Sequence, residues 1–330
     1  MSPRVAVVGA GSWGTTVAHL CAHNVDTVVV ARQQALAAEI DHRHQNHTYL
    51  AGFDLHPALR ATDDLGVVAG AEMVVMAVPS VGFGTVLAEI RPLVQPDVPV
   101  LSLTKGFEEG SARRMSELVA DELSGHPVGV LTGPNLAKEI LAGQAAAAVL
   151  AFSDGSLADE LRPVFTTPMF RVYSSTDVIG CEIGGAVKNV MALAAGMALG
   201  LNMGDNALAA LITRGLAEMT RLGVALGGEP STFAGLAGMG DLLATCMSDQ
   251  SRNRFVGYQL GQGRALHDVV AAMDQVAEGI GSASIVHRLA AEHDIYMPIV
   301  EQVHACISGV RSPVEALAEL LHNPATREVG

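Results

Sequence analysis

Five continuous apolar runs punctuate the first half of the chain: VAVVG (5–9), TVVVA (27–31), MVVMAVP (73–79), VPVLSLT (98–104) and VGVLTG (128–133). None alternates apolar with polar, so each reads as a strand covered on both faces, as in a parallel sheet. Two further strand candidates follow, AAAVLAF and FRVYSS. Strand alternating with helix predicts a doubly wound, mainly parallel sheet with right-handed crossovers. After about Asp177 the β-rich runs stop, and helical patterns rich in Ala, Leu, Met and Gly continue to the end. The stretch IGCEIGGAVKNVMALAAGMALG (179–200) is apolar almost all round, which describes a helix buried on every side. Its glycines lower helix propensity, so they are expected to permit close packing or to admit a ligand. The pattern therefore predicts an α/β dinucleotide-binding domain of Rossmann type over 1–176 and an all-α substrate-binding and catalytic domain over 177–330.

Composition narrows the choice. A chain of 330 residues is longer than one hydrophobic core usually serves, and 49% hydrophobic with only 4% aromatic residues points away from a β-sandwich. The net charge of −14, with no basic patch, excludes a nucleic-acid surface. No apolar run is expected to cross a bilayer and no signal peptide is recognisable, so the protein is expected in the cytoplasm without membrane insertion. Asn46-His47-Thr48 matches the glycosylation acceptor pattern, to no purpose in that setting. Cys21, Cys181, Cys246 and Cys306 are scattered and read as buried reduced thiols. His42, His44 and His47 have no carboxylate or thiolate spaced to complete a metal sphere, and no metal is expected. Only Lys105, Lys138 and Lys188 are lysines among 20 basic residues, which suggests they stand where a compact or deprotonatable ammonium is needed.

Gly9, Gly11 and Gly14 form G-x-G-x-x-G directly after a predicted strand and at the opening of a predicted helix. The first glycine suits a tight turn, the second lets backbone approach a pyrophosphate, and the third lets helix and strand pack closely. The helix N-terminus adds amide donors and the positive end of a dipole. At the end of the second strand stands Arg32, where an NAD-specific site would carry a carboxylate. An arginine there pairs with a 2′-phosphate, so NADP(H) is favoured and NAD(H) is possible. A surface arginine with no such role is the alternative. Trp13, the only tryptophan, lies between the second and third glycines and is expected to project into the crevice over the cofactor. A core tryptophan bridging the two domains is the competing expectation.

Lys188 sits inside the buried helix, with Gly184 and Gly185 one turn before it and Asn189 beside it. Burial predicts a lowered pKa, and the small residues leave room for another group to approach. Lys105 and the segment LTGPN (131–135) end consecutive strands at the carboxyl edge of the sheet, where ligands bind. Further on, Asp241 precedes the cluster Ser251, Arg252, Asn253 and Arg254, which suits a phosphate through forked, charge-assisted hydrogen bonds. A solvated loop is the plain alternative for that cluster.

Taken together, GAGSWGT, AVPS, TKG, TGPNLAKE, GGAVKNVMALAAG, ALITRGLAEM, AGMGDLLATC, SRNR and AEG (277–279) resemble the bacterial NAD(P)-dependent glycerol-3-phosphate dehydrogenases, in family order along nearly the whole chain. The resemblance implies reduction of dihydroxyacetone phosphate to sn-glycerol 3-phosphate, a phospholipid precursor, with a phosphorylated small molecule as partner. A homodimer is the expected assembly. It implies that Lys188 is the proton donor and acceptor. It implies substrate contacts at Lys105, Gly133, Asn135, Asp241, Ser251, Arg252 and Asn253, with Asn189 among them. Cofactor contacts are implied at Ser12, Trp13, Arg32, Lys105, Ala137, Arg252, Val276 and Glu278. Gly281 and Ser282 depart from the commoner threonine-containing pattern, which bears on fine specificity.

The expected mechanism is direct hydride transfer from the reduced nicotinamide to the ketone, with Lys188 protonating the developing alkoxide. Lys105 would lower the pKa of Lys188 by like-charge repulsion and polarise the substrate, while Asp241 orients the ammonium and a substrate hydroxyl. A β-hydroxyacid dehydrogenase, which would need a carboxylate site, is the alternative enzyme. A non-catalytic NADP(H)-binding redox sensor is the alternative of another class.

Overall fold

The computed structural model describes residues 4–273 and 275–322. Its strands are β1 (Val5–Val8), β2 (Thr27–Val30), β3 (Arg60–Thr62), β4 (Met73–Met76), β5 (Val100–Ser102), β6 (Val128–Thr132), β7 (Ala146–Phe152) and β8 (Phe170–Ser175). They form one sheet in the order β3-β2-β1-β4-β5-β6-β7-β8. From β3 across to β6 every pair is parallel; β7 runs antiparallel to β6, and β8 parallel to β7. The chain leaves β1 for β2 on one side and resumes at β4 on the other. A crevice therefore opens beyond the carboxyl ends of β1 and β4, the switch point where α/β sheets bind ligands.

The apolar runs form strands because the sheet is covered on both faces. Val5 and Val7 enter one core cluster with Val29 and Leu101, while Ala6 and Val8 enter the other with Val28 and Val74. That alternation is the two-residue period of a strand, here with apolar partners on each side. The strands stop short of their apolar runs: β4 ends at Met76, and Pro79 precedes the helix Ser80–Ile90. The sequence pattern misses β3, whose three residues are exposed or half-buried at the sheet edge and carry no apolar run.

Beyond β8 the described chain is helical. Asp177 caps the helix Val178–Gly200, accepting the Gly180 N–H at 2.8 Å. Every residue of this helix except Ile179 and Leu199 is buried. By length and composition it could span a bilayer, contrary to the expectation that no segment would, but 94% of its most apolar stretch is buried inside the protein. It is the axis of the helical half, and the helices Asp205–Ala225, Asp241–Met247, Arg252–Gly261 and Glu278–Glu292 pack around it. Close approach depends on small residues, since a Cβ on Gly257 would lie 2.0 Å from the Leu193 carbonyl oxygen. All four cysteines are free and buried.

A buried carboxylate joins this helix to the sheet half. Glu182 accepts from the Ser116 N–H at 2.9 Å, the Ser116 hydroxyl at 2.5 Å and the Arg114 guanidinium at 2.8 Å, at the start of the helix Met115–Glu122. Burial pushes the Glu182 carboxyl above its ordinary pKa, against the pull of Arg114. Its bonds tie the central helix to the start of the helix Met115–Glu122.

Candidate active site

The glycine turn has the geometry its spacing predicts. Gly9 adopts φ +115°, and a Cβ there would lie 2.5 Å from the Ala77 carbonyl oxygen of the strand-end opposite. A Cβ on Gly14 would meet the Gly9 carbonyl at 2.1 Å, whereas one on Gly11 would meet nothing within 4 Å. The turn is thus closed behind and open in front at the start of the helix Ser12–Ala22. Backbone amides facing an open cradle at a helix N-terminus fit the pyrophosphate of a nicotinamide dinucleotide.

Arg32 is exposed just past β2, the position from which a side chain reaches an adenosine ribose. Trp13 is half-buried, and its indole packs on the sheet-domain core, 6.5 Å from the Phe170 ring at an interplanar angle of 54°. Its Nε1 is buried with no hydrogen-bond partner among the described residues.

Across the crevice, one carboxylate holds two lysines. Lys188 Nζ donates to Asp241 Oδ1 at 2.6 Å and Lys105 Nζ donates to Asp241 Oδ2 at 2.7 Å. Lys188 also donates to Thr245 Oγ1 at 2.7 Å, and Lys105 to the Gly133 carbonyl at 3.1 Å. Gly133 is at φ +134°, which turns this carbonyl at the end of β6. The small residues of the central helix make the convergence possible. A Cβ on Gly184 would lie 2.7 Å from the Ala237 carbonyl, just upstream of Asp241, and one on Gly185 would press on the Lys105 stem at 3.4 Å. Residues Leu236–Gly240 form a π-helical turn that leads into Asp241. Such turns often re-aim a functional side chain.

The side chains of Lys188 and Asp241 are 7% and 2% exposed. Burial lowers the Lys188 pKa to about 8, against the raising effect of Asp241 and with a further lowering by Lys105. Burial acts on Asp241 in the opposite sense, yet the two ammoniums hold its carboxyl below the ordinary range. An ammonium close to neutral pKa, oriented by a permanently ionised carboxylate, can give and take a proton at a substrate oxygen.

The polar cluster is partly turned inward. Asn189 Nδ2 donates to the Lys105 carbonyl at 3.0 Å, and Asn253 Nδ2 donates to Asn189 Oδ1 at 2.9 Å. Asn253 Oδ1 accepts the Gly279 N–H at 2.9 Å, so both polar atoms of its amide are engaged within the protein. Ser251 caps the helix Arg252–Gly261 by accepting the Arg254 N–H at 3.2 Å. The Arg252 and Asn253 N–H groups at that helix start donate to no protein oxygen among the described residues. Arg252 is exposed, and its guanidinium donates to the Val276 carbonyl at 2.7 Å. Glu278 accepts the Ser80 N–H at 3.3 Å, and Ser12 Oγ approaches Gln275 Oε1 at 3.5 Å, so the 275–278 segment spans from the helical half to the glycine turn. A cavity of ≈ 580 Å³ opens beside it, lined by Pro79, Ser80, Phe107, Val276, Glu278 and Ser282 among others.

Asn135 carries an amide whose two polar atoms are buried without a partner among the described residues, as a ligand-contacting group would be. Ala137 opens the short helix Ala137–Leu141, and neither it nor Arg32 belongs to the lysine–aspartate network. Sequence reasoning did not single out Thr245, although its spacing of four from Asp241 on one helix puts both on the same face. Gln275 was also missed, since it carries no motif.

The chain's similarities agree with this geometry. Residues 4–158 match the family model for the NAD-dependent glycerol-3-phosphate dehydrogenase N-terminus, and residues 177–318 match that for its C-terminus. A glycerol-3-phosphate dehydrogenase [NAD(P)+] 2 of Sphingopyxis alaskensis is 53% identical over 322 residues, 97% of each chain. A glycerol-3-phosphate dehydrogenase [NAD(P)+] of Mycobacterium avium is 48% identical over 99% of this chain and 96% of its own. The crystal structure of glycerol-3-phosphate dehydrogenase from Coxiella burnetii superimposes with a TM-score of 0.92 at 38% identity, covering 97% of this chain and 98% of that one.

Proposed function

The chain belongs to the NAD(P)-dependent glycerol-3-phosphate dehydrogenase family, and from that premise we propose how its own residues carry the reaction. The enzyme reduces dihydroxyacetone phosphate to sn-glycerol 3-phosphate, reversibly, with NADP(H) favoured and NAD(H) accepted. The bound nicotinamide supplies the hydride. Gly9, Gly11 and Gly14 hold its pyrophosphate, with Ser12, Trp13, Arg32, Lys105, Ala137, Arg252, Val276 and Glu278 as further contacts.

The observation that carries the catalytic assignment is the Asp241 carboxylate shared by Lys188 and Lys105. Lys188, cationic below about pH 8, stabilises negative charge growing on the ketone oxygen and then gives it a proton. Lys105 polarises the same oxygen and, through its charge, keeps the Lys188 proton loose. Asp241 and Thr245 fix the direction of the Lys188 ammonium. The phosphate is held by the Arg252 guanidinium with the backbone amides of Arg252 and Asn253, capped by Ser251. Asn253 and Asn189 act on it through structure, since their amides tie three helices together. Gly133 positions Lys105, and the unpartnered Asn135 amide meets the substrate.

We further propose that the sheet domain over 1–176 binds the cofactor and the helical domain over 177–330 the substrate, in a cytoplasmic homodimer. The test is to supply dihydroxyacetone phosphate with NADPH and, separately, 3-hydroxy acids with NADP+. Oxidation of a 3-hydroxy acid in preference to the phosphorylated ketone would overturn the reading in favour of a β-hydroxyacid dehydrogenase.

A further inference from the structure

Asn46 carries the one glycosylation pattern noted in the sequence, and the fold gives it a different task. It is 0% exposed. Its Nδ2 donates to the Ala10 carbonyl at 3.1 Å and to Thr15 Oγ1 at 2.9 Å, while its Oδ1 accepts the Tyr49 N–H at 3.1 Å. Both amide protons thus go to the glycine turn and the helix that follows it. The segment that carries Asn46 is itself fastened to that helix, because His19 Nδ1 accepts the His56 N–H at 3.0 Å and the His44 carbonyl accepts the Leu55 N–H at 2.7 Å.

The Ala10 carbonyl belongs to the peptide unit whose N–H is that of Gly11. In a trans peptide the two point in opposite directions, so fixing the carbonyl from behind aims the Gly11 N–H forward. Forward here means away from Asn46, and a Cβ on Gly11 would meet nothing within 4 Å, so there is open space beside this residue for a ligand. The Gly11 N–H donates to no backbone oxygen among the described residues and is free for a ligand. The glycine that lets a pyrophosphate approach also leaves this peptide free to rotate, since glycine tolerates φ of either sign. A rotated peptide would present a carbonyl to the phosphates. Resting on the dehydrogenase reading, we propose that Asn46 is a positioning residue for dinucleotide binding: its amide locks the Ala10–Gly11 peptide so that the Gly11 N–H faces the pyrophosphate.

The decisive variant is Asn46→Ser. A serine keeps an oxygen able to cap the turn at Tyr49 but is too short to reach Ala10, so it separates a local capping role from the lock. Calorimetry with NADPH should give a dissociation constant raised at least tenfold, about 1.4 kcal/mol of binding. kcat and the KM for dihydroxyacetone phosphate at saturating NADPH should stay within twofold of wild type. Thr15→Val removes the other acceptor of the same amide while leaving Ala10 held, and should leave the dissociation constant within twofold. Should Asn46→Ser fail to fold, Asn46→Asp keeps the shape and loses the donors, and the same tenfold loss is expected. Wild-type affinity in folded Asn46→Ser, or an equal loss in Thr15→Val, overturns the proposal. A wild-type protein that binds no NADPH overturns the dehydrogenase reading instead.

Discussion

Lys188 donates a hydrogen bond to Asp241 Oδ1 at 2.6 Å from within the most buried of the described helices, and the same carboxylate accepts a second ammonium, that of Lys105, on its other oxygen at 2.7 Å. Two cations around one anion leave a net positive charge at the floor of the crevice. In the proposed placement of the substrate, a ketone oxygen that gains negative charge during reduction would meet that field.

Lys188→Ala removes both the charge and the proton. Turnover should fall by about 10²–10⁴-fold, the usual range for a positioned general acid. The NADPH dissociation constant should move little, because Lys188 is not among the proposed cofactor contacts. Turnover close to wild type would remove Lys188 from the mechanism.

The direction of the pH dependence follows from the depressed Lys188 pKa of about 8. In the proposed mechanism reduction needs the protonated ammonium, so kcat for dihydroxyacetone phosphate should be level below pH 8 and decline above it. Oxidation of glycerol 3-phosphate needs the neutral amine and should decline below pH 8. In Asp241→Asn the raising influence of the carboxylate is gone while the lowering influence of Lys105 remains, so the reduction limb should move to lower pH. An unmoved limb would mean that another group controls the profile.

Much of this arrangement is legible in the sequence because it is written in runs and residue types. Five strands, β1, β2, β4, β5 and β6, announce themselves as apolar runs, and a lysine within an apolar helix at Lys188 is anomalous enough to mark a candidate site. The antiparallel turn of β7 is not legible, since a strand buried on both faces reads the same in either direction. Thr245 and Asn46 are illegible for a different reason. Each acts through single polar atoms whose partners, Lys188 at a separation of 57 residues and Ala10 at 36, are set by the fold alone.

Arg252 is exposed at the start of a capped helix whose first amides are free. If it grips the phosphate, Arg252→Met should raise the KM for dihydroxyacetone phosphate by about 10- to 100-fold, the scale of a charge-assisted hydrogen bond of about 1.5–3 kcal/mol. Any reduction of unphosphorylated dihydroxyacetone should change far less. Equal losses on both substrates would place Arg252 in the fold rather than at the phosphate.

At Arg32 the discrimination is between two cofactors that differ by one phosphate. Arg32→Ala should raise the KM for NADPH tenfold or more and leave that for NADH within about twofold, because only the former loses a charged partner. A parallel rise in both constants would deny Arg32 the 2′-phosphate.

The segment that carries Asn46 brings an acid sensitivity with it. His19 Nδ1 accepts the His56 N–H, and its Nε2 lies 3.4 Å from His23 Nε2, so a proton added at Nδ1 would break the first contact and put a cation beside two other imidazoles. Burial, then the neighbouring charges of His23 and His56, depress the His19 pKa to about 4. In the unfolded chain His19 titrates at its ordinary value of 6.5. Between those two values the unfolded state binds the extra proton, so stability is whole above pH 6.5 and declines as pH falls toward 4. His19→Asn keeps an acceptor where Nδ1 stands and cannot take up a proton. Its thermal midpoint should fall less steeply than wild type across that interval, while the two proteins behave alike at pH 8. Identical slopes would assign the acid sensitivity to another group.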